Sequence, residues 1–458
     1  MASPPPTPPP RAPKDEERRF KTITSPCEWV EDYRPGGYHP VLPNDVFNNG
    51  QYKVIRKLGE GSYSTVWLAR DLRQVHLAHD PVHHGCSLPS RNNRYVALKI
   101  LVSEISASTN ELRILRHITK VAPSGGASHI TQLLDEFEHR GPNGIHKCLL
   151  FEPMGPSVNT MVEELPQFNP RRWEMKIRYP PQMAKTILKQ SLQALAFLHE
   201  NGIAHGDFQP GNMLFALDDI NSKPEDLFCQ EGHGEAGSVS PPVQRLDGKQ
   251  DKWAPRYLCV ARSLAPFVSC AGGFKIKLSD MGGAYFFTDP PAKPVTPHGI
   301  RAPELILTGA VDKTLDVWSF GCLVFELITG QPLFCIPESE FEDDDHLLSL
   351  TACLGALPDP LFKYWKTSSL YFTPERKLFN CQLGGVAEGR STLMVEQTSM
   401  EELFDQAGPD LDEEEASKVK ALIRRILQYD PAKRPSPAEV LLDPWFCEIE
   451  VESGPSKP

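Results

Sequence analysis

An aspartate and an asparagine stand close together in His205-Gly206-Asp207-Phe208-Gln209-Pro210-Gly211-Asn212-Met213-Leu214. The Asp207 carboxylate can orient a hydroxyl and take its proton, and the Asn212 amide oxygen can ligate Mg²⁺. Both are also ordinary turn residues, and on this stretch alone the two readings weigh equally. A second candidate is Gly59-Glu60-Gly61-Ser62-Tyr63-Ser64-Thr65-Val66, where glycines bracket a turn between strands. Without side chains there, backbone N–H groups can approach phosphate oxygens closely. Any β-hairpin can use glycine in its turn, so this stretch is weak evidence by itself.

Further residues sharpen the pattern. Val96-Ala97-Leu98-Lys99 carries a lysine on a strand, and Glu111 opens a helical stretch downstream. An ion pair between them would hold the ammonium against the α- and β-phosphates of a nucleotide. Glu104 is a competing partner, but Glu111 lies in the better helical pattern. In Lys275-Ile276-Lys277-Leu278-Ser279-Asp280-Met281-Gly282 a strand runs into Asp-x-Gly. Asp280 would reach phosphates through Mg²⁺, and Gly282 lets the chain turn sharply.

The elements that must position these residues follow from periodicity. Tyr52 to Leu58 alternates polar and apolar residues, Thr65 to Ala69 is β-branched and aromatic, and Tyr95 to Ile100 is a short apolar run. All three read as strands. Asn110 to His117 and Met183 to Glu200 have helical apolar spacing, and 316–329 is almost wholly apolar, which predicts a buried helix. Residues 72–94 read as a loop insertion. Its His76, His79, His83, His84 and Cys86 are better explained as a polar loop than as a zinc site, which needs ligands on a firm frame. Residues 218–272, rich in Gly, Ser, Pro and charge, predict an insert of low order.

The chain has 458 residues, 40% of them hydrophobic, enough for a sizeable core. Its net charge of -11 argues against a general nucleic-acid binder and suits a basic partner. Eleven scattered cysteines without a CxxC pair predict reduced thiols and a cytosolic or nuclear protein. The Pro-rich start predicts a disordered tail, and neither an export signal nor an apolar run long enough for a membrane span is expected.

Taken in order, with Arg301-Ala302-Pro303-Glu304, Asp316-Val317-Trp318-Ser319-Phe320-Gly321 and Asp430-Pro431-Ala432-Lys433-Arg434-Pro435, these motifs resemble the eukaryotic protein kinases over roughly residues 52–447. The resemblance implies an α+β, two-lobed protein-kinase fold with a small β-rich N-lobe and a larger α-helical C-lobe. The expected divisions are a Pro-rich tail at 1–30, lead-in and N-lobe at 31–152, C-lobe at 153–447 and a flexible tail at 448–458. It implies ATP and Mg²⁺ as cofactors. Asp207 would be the catalytic base, assisted by Lys99, Glu111 and Gln209, with Asn212 and Asp280 on the metal. The nucleotide would meet Leu58, Gly59, Glu60, Gly61, Ser62, Tyr63, Ser64, Val66, Ala97 and Lys99, and a hinge at Glu152 and Met154 behind the gatekeeper Phe151. Glu304 and Arg434 would form an ion pair, and Asp316 would anchor the catalytic loop from below.

Arg301 before Ala-Pro-Glu resembles the CMGC group. Glu31-Asp32-Tyr33-Arg34-Pro35-Gly36-Gly37-Tyr38-His39-Pro40-Val41 resembles the lead-in of the SR-protein kinases, whose glycine-rich loop also lacks a third glycine. Asp343-Asp344-Asp345-His346-Leu347 resembles the acidic start of their docking region. This branch implies Arg/Ser-rich protein substrates, since guanidinium groups pair with carboxylates in a fork geometry. A monomer without direct nucleic-acid or membrane contact is expected.

The sequence departs from the family at three places. Gly206 replaces the arginine that reads a phosphorylated activation segment, which predicts independence from that phosphorylation. Gln209 replaces a lysine that neutralises the transferred phosphoryl group. Thr296 is one residue out of register with the usual threonine of its loop. These departures keep a pseudokinase or scaffold as the alternative to an active serine/threonine kinase.

Overall fold

A computed structural model of the chain describes residues 14, 17–73, 94–122, 126–168, 176–230, 237–268 and 273–447. The histidine-rich stretch weighed for zinc, most of the Pro-rich start and the 448–458 tail lie outside these residues. Among the described residues, no helix is long and apolar enough to cross a membrane.

The chain forms two compact units. The first comprises Met1–Thr109, Thr131–Pro156 and Phe215–Phe274, and the second Asn110–Ile130, Ser157–Leu214 and Lys275–Pro458. The first is built on a sheet of β1 (Val46–Phe47), β2 (Tyr52–Gly61), β3 (Ser64–Asp71), β4 (Tyr95–Leu101), β5 (Leu133–Gly141) and β6 (Gly144–Phe151). The order is β1-β2-β3-β4-β6-β5 and every neighbouring pair is antiparallel. Trp67, Val96, Leu98, Ile100, Cys148 and Leu150 form its core with Tyr52 and Val54.

The grouping differs from the division expected at residue 152. The Glu111–Val121 helix belongs to the second unit, and residues 215–274 belong to the first. The low order expected of 218–272 is not what its described residues show. Phe228, Trp253, Leu258, Cys259 and Leu264 are buried, and all but Trp253 join cores that include Val54, Tyr38 or Ile55. The reason lies at the edge of the sheet. β1 pairs with Tyr52 and Lys53, and Asn44 and Asp45 bond the backbone of Val54, which leaves the β2 edge beyond Val54 for another segment. The insert covers it: Lys57 N–H donates to Gln230 Oε1 at 3.1 Å, and Arg262 N–H donates to the Lys57 carbonyl at 3.0 Å. An uncovered edge would expose backbone groups to water or to other chains.

The tail expected at 1–30 is also ordered in its second part. Phe20 is buried, and Arg19 pairs with Glu31 at 2.9 Å.

The second unit is helical. Pro181–Glu200 buries its apolar stripe. Thr314–Thr329 buries residues on every face, as its nearly continuous apolar sequence demands. Gly321 on that helix allows a close approach, because a Cβ there would stand 2.6 Å from Leu427 Cδ2. Capping boxes Ser399/Glu402 and Ser436/Glu439 open two later helices by satisfying N-terminal N–H groups.

Candidate active site

In the second unit, the loop after the Pro181–Glu200 helix carries His205 to Asn212. Asp207 is held on both carboxylate oxygens: Gln209 Nε2 donates to Oδ1 at 2.7 Å and Asn212 Nδ2 to Oδ2 at 2.8 Å. Asn212 Nδ2 also reaches the Asp207 carbonyl at 2.8 Å. These bonds use the amide nitrogen of Asn212 and turn its oxygen away, as a cation ligand requires. Burial pushes the Asp207 carboxyl above its ordinary value, and nearby Asp280 pushes the same way. His205 and the Asn212 and Gln209 amides pull it back.

The loop backbone is fixed from one buried carboxylate. Asp316, on the Thr314–Thr329 helix, accepts the N–H of His205 and that of Gly206, each at 2.8 Å, and His199 Nε2 donates to it at 3.0 Å. The chain can take this path because Gly206 has φ +73, and a Cβ there would stand 2.4 Å from the Gly283 carbonyl oxygen. Any side chain at 206, an arginine included, would be strained in this backbone.

His205 was not singled out from sequence, yet it ties the loop to Asp280. Its Nε2 donates to the Ser279 carbonyl at 3.0 Å, while its Nδ1 accepts the Asp207 N–H at 3.3 Å. Ser279 returns two bonds to the Asn212 carbonyl, from N at 2.8 Å and from Oγ at 2.9 Å. Asp280 then sits at φ 57, a left-handed conformation that a short polar side chain tolerates by bonding locally, here to Gly282 N–H at 3.2 Å. The sequence signal for His205 was its place directly before the loop's bend.

In the first unit, register sets the remaining candidates. Gly59 pairs with Val66, Val66 with Lys99, and Ala97 with Phe151. Cross-strand partners and i, i+2 neighbours share a face, so Gly59, Val66, Ala97 and Lys99 lie on one face of the sheet. Leu58 sits beside a bulge in this pairing. Glu60, Gly61, Ser62 and Tyr63 are exposed at the β2–β3 turn, and Ser64 closes it opposite Gly61. Neither Gly59 nor Gly61 has a positive φ, and a Cβ on either would meet nothing within 4 Å. Neither packing nor backbone conformation calls for glycine there, and the space beside both is open. Phe151 ends β6, Glu152 Oε1 accepts the Gln132 N–H at 3.5 Å, and Met154 is buried. Glu111 opens its helix buried, in the other unit from Lys99.

Arg434 grips Glu304 in a buried fork, Nη1 to Oε1 at 2.6 Å and Nη2 to Oε2 at 2.7 Å, and stacks over Trp318. The acidic run behaves differently from the docking expectation at one position. Asp344 is buried and accepts from Trp365 Nε1 at 2.7 Å, Thr367 Oγ1 at 2.5 Å and Tyr371 Oη at 2.8 Å. Helix periodicity turns it inward, and a carboxylate engaged by three donors offers nothing to a substrate. Asp343 is exposed and Asp345 partly so. Among the described residues, no cluster of three or more His, Cys, Asp and Glu side chains is arranged to hold a metal.

Comparison with known proteins fits this arrangement. The protein kinase domain family matches residues 86–227 and 268–446, a match broken within the insert. The serine/threonine-protein kinase SRPK of Physarum polycephalum is 31% identical over 92% of this chain and 92% of its own length. Protein kinase dsk1 of Schizosaccharomyces pombe is 26% identical over 92% of this chain and 85% of its own length. The human SRSF protein kinase 3 is 23% identical over 91% and 89%. A crystal structure of a kinase domain, 24% identical, superposes with a TM-score of 0.57 over 89% of this chain and 98% of that one, a likeness of fold. The chain belongs to the protein kinase family, and within it to the serine/threonine kinases of the SR-protein kinase-like branch.

Proposed function

We propose that this kinase transfers the γ-phosphate of ATP to serine in Arg/Ser-rich proteins, with Asp207 as the base. The observation that carries the reading is the double amide grip on Asp207, which aims a partly desolvated carboxylate from a loop anchored by Asp316. Bound Mg²⁺ and ATP would supply the phosphoryl group and neutralise its charge during transfer. Asn212 and Asp280 fit such a cation, which takes few protein ligands and fills its shell with phosphate oxygens and water. Asp207 orients the substrate hydroxyl and accepts its proton. Gln209 hydrogen-bonds Asp207 where the family places a lysine, so the base is positioned but one positive charge near the transferring group is missing. The open space over Gly59 and Gly61 suits phosphate oxygens, and Lys99 on the same sheet face would pair with them.

The substrate class is supported by the net charge of -11, by exposed Asp343 and by the names of the relatives. We keep the cytosol or nucleus as its place of action. The test is Mg²⁺-dependent ³²P transfer from ATP to an Arg/Ser peptide and to a lysine-for-arginine control. Asp207→Ala is expected to lose about 10²–10⁴-fold in turnover. Nucleotide binding with turnover equal to that of the variant would instead mark a scaffold. Equal use of both peptides would sink the substrate class.

A further inference from the structure

The β2–β3 turn projects from the sheet with little packing of its own. Tyr63 at its tip is 56% exposed, and the space beside Gly59 and Gly61 is open. A turn of this kind needs restraint from elsewhere if its N–H groups are to present a fixed cradle, because a mobile loop loses entropy on ligand binding.

That restraint comes from the segment before the sheet. The Tyr38 hydroxyl donates to the Gly61 carbonyl at 2.7 Å. Its ring packs with Tyr33, Val30, Val102 and Leu258, and its backbone N–H bonds the Asp32 carbonyl at 3.1 Å, so the hydroxyl is aimed from a rigid mount. A second hold runs through charge. The fully buried Lys57 ammonium pairs with Glu28 of the same segment and with Glu60 Oε2 at 3.1 Å. Glu28 also accepts the Tyr33 hydroxyl. Glu60 is thereby drawn toward a cation, which reduces its repulsion of an incoming polyphosphate. On the far side of the turn, Val102 N–H bonds the Tyr63 carbonyl at 2.9 Å.

We propose that Tyr38 is a positioning residue for nucleotide phosphates, fixing Gly61 and with it the turn, with the Glu28–Lys57–Glu60 chain as the second hold. The proposal rests on the reading of this turn as the phosphate cradle. It makes the lead-in segment part of the nucleotide site without touching the nucleotide.

The experiment measures binding of Mg²⁺·AMP-PNP and of adenosine to the full chain by calorimetry, with steady-state kinetics alongside. Tyr38→Phe keeps the ring and removes only the hydroxyl. The expected result is AMP-PNP affinity about threefold to tenfold weaker, the range of one hydrogen bond, with adenosine affinity unchanged. The KM for ATP rises by a similar factor while kcat stays within about twofold. Unchanged AMP-PNP affinity, or an equal loss on both ligands, overturns the proposal; the second outcome would show a merely structural hydroxyl. Gly61→Val separates the two levels of inference, since a Cβ at this position meets nothing within 4 Å. If that variant binds AMP-PNP as the wild type does, the cradle reading itself fails. If it binds weakly while Tyr38→Phe does not, only the role of Tyr38 fails.

Discussion

The hydroxyl of Thr296 donates to the carbonyl oxygen of Gly206 at 2.8 Å, with Thr296 buried. A threonine that reads as one residue out of register is thus bonded to the residue before Asp207. It secures the carbonyl of the same residue whose N–H is held by Asp316. The chain at 206 is over-determined, and its left-handed φ is held from both sides.

Gly206→Ala should therefore be costly. A Cβ at φ +73 meets the Gly283 carbonyl and adds the left-handed penalty, so a loss of at least ~2 kcal/mol is expected in urea unfolding. Phosphoryl transfer should fall with it, because the bend places Asp207. A variant of wild-type stability and rate would mean that the backbone relaxes freely at this point.

Burial raises the Asp207 pKa, and Gln209 is one of three groups, with His205 and Asn212, that oppose the rise, in its case through a hydrogen bond. Gln209→Ala should move the acid limb of the kcat/KM profile to higher pH, since the carboxylate must be unprotonated to act. Turnover at neutral pH should fall by about tenfold for the loss of one aligned donor. Gln209→Lys should restore the missing charge and raise kcat above that of the wild type, as measured with a saturating peptide.

Asp344 is a structural acceptor. Asp344→Ala removes the acceptor of buried Trp365 and Tyr371, and a loss of about 1–3 kcal/mol follows, although Trp365 keeps its bond to the exposed Thr367 hydroxyl. Asp343→Asn should leave stability within about 0.5 kcal/mol, as exposed substitutions do. If Asp343 contributes to docking, that variant raises the KM for an Arg/Ser peptide without lowering kcat.

Stability should fall toward acid. Burial pushes the His346 imidazole down to about 4, aided by His298 and Arg301, although its Nε2 donates to the Arg301 carbonyl. The folded pKa lies below the unfolded one, near 6.5. Between these values the unfolded chain binds a proton that the native chain does not. The contribution is full above pH ~6.5 and is lost as pH falls toward 4, on the order of 3 kcal/mol. Burial also lowers His39, His139 and His146 in the first unit, which act in the same direction. Urea unfolding at pH 7 and pH 5 tests the trend, and His346→Gln, which retains a donor, should flatten it.

What the sequence by itself determined is local. Asp207, Gln209 and Asn212 lie within one short loop, so their mutual bonds follow from a bend that Gly206 and Pro210 permit. The strand before Gly59 was legible from its polar–apolar alternation, the Lys99 strand from its short apolar run, and the 316–329 helix because it is apolar on every side. Tertiary structure decided what depends on distant partners. The ordered insert has few apolar anchors and no periodicity, and only the open β2 edge explains why Phe228, Leu258 and Leu264 are buried. Helix periodicity places Asp344 on the buried face, but the partners that satisfy it there, Trp365 and Tyr371, come from a distant segment, and the hold of Tyr38 on Gly61 spans 23 residues. Composition carries no record of which surface a segment will cover, because burial is a property of pairs of surfaces brought together by the whole chain.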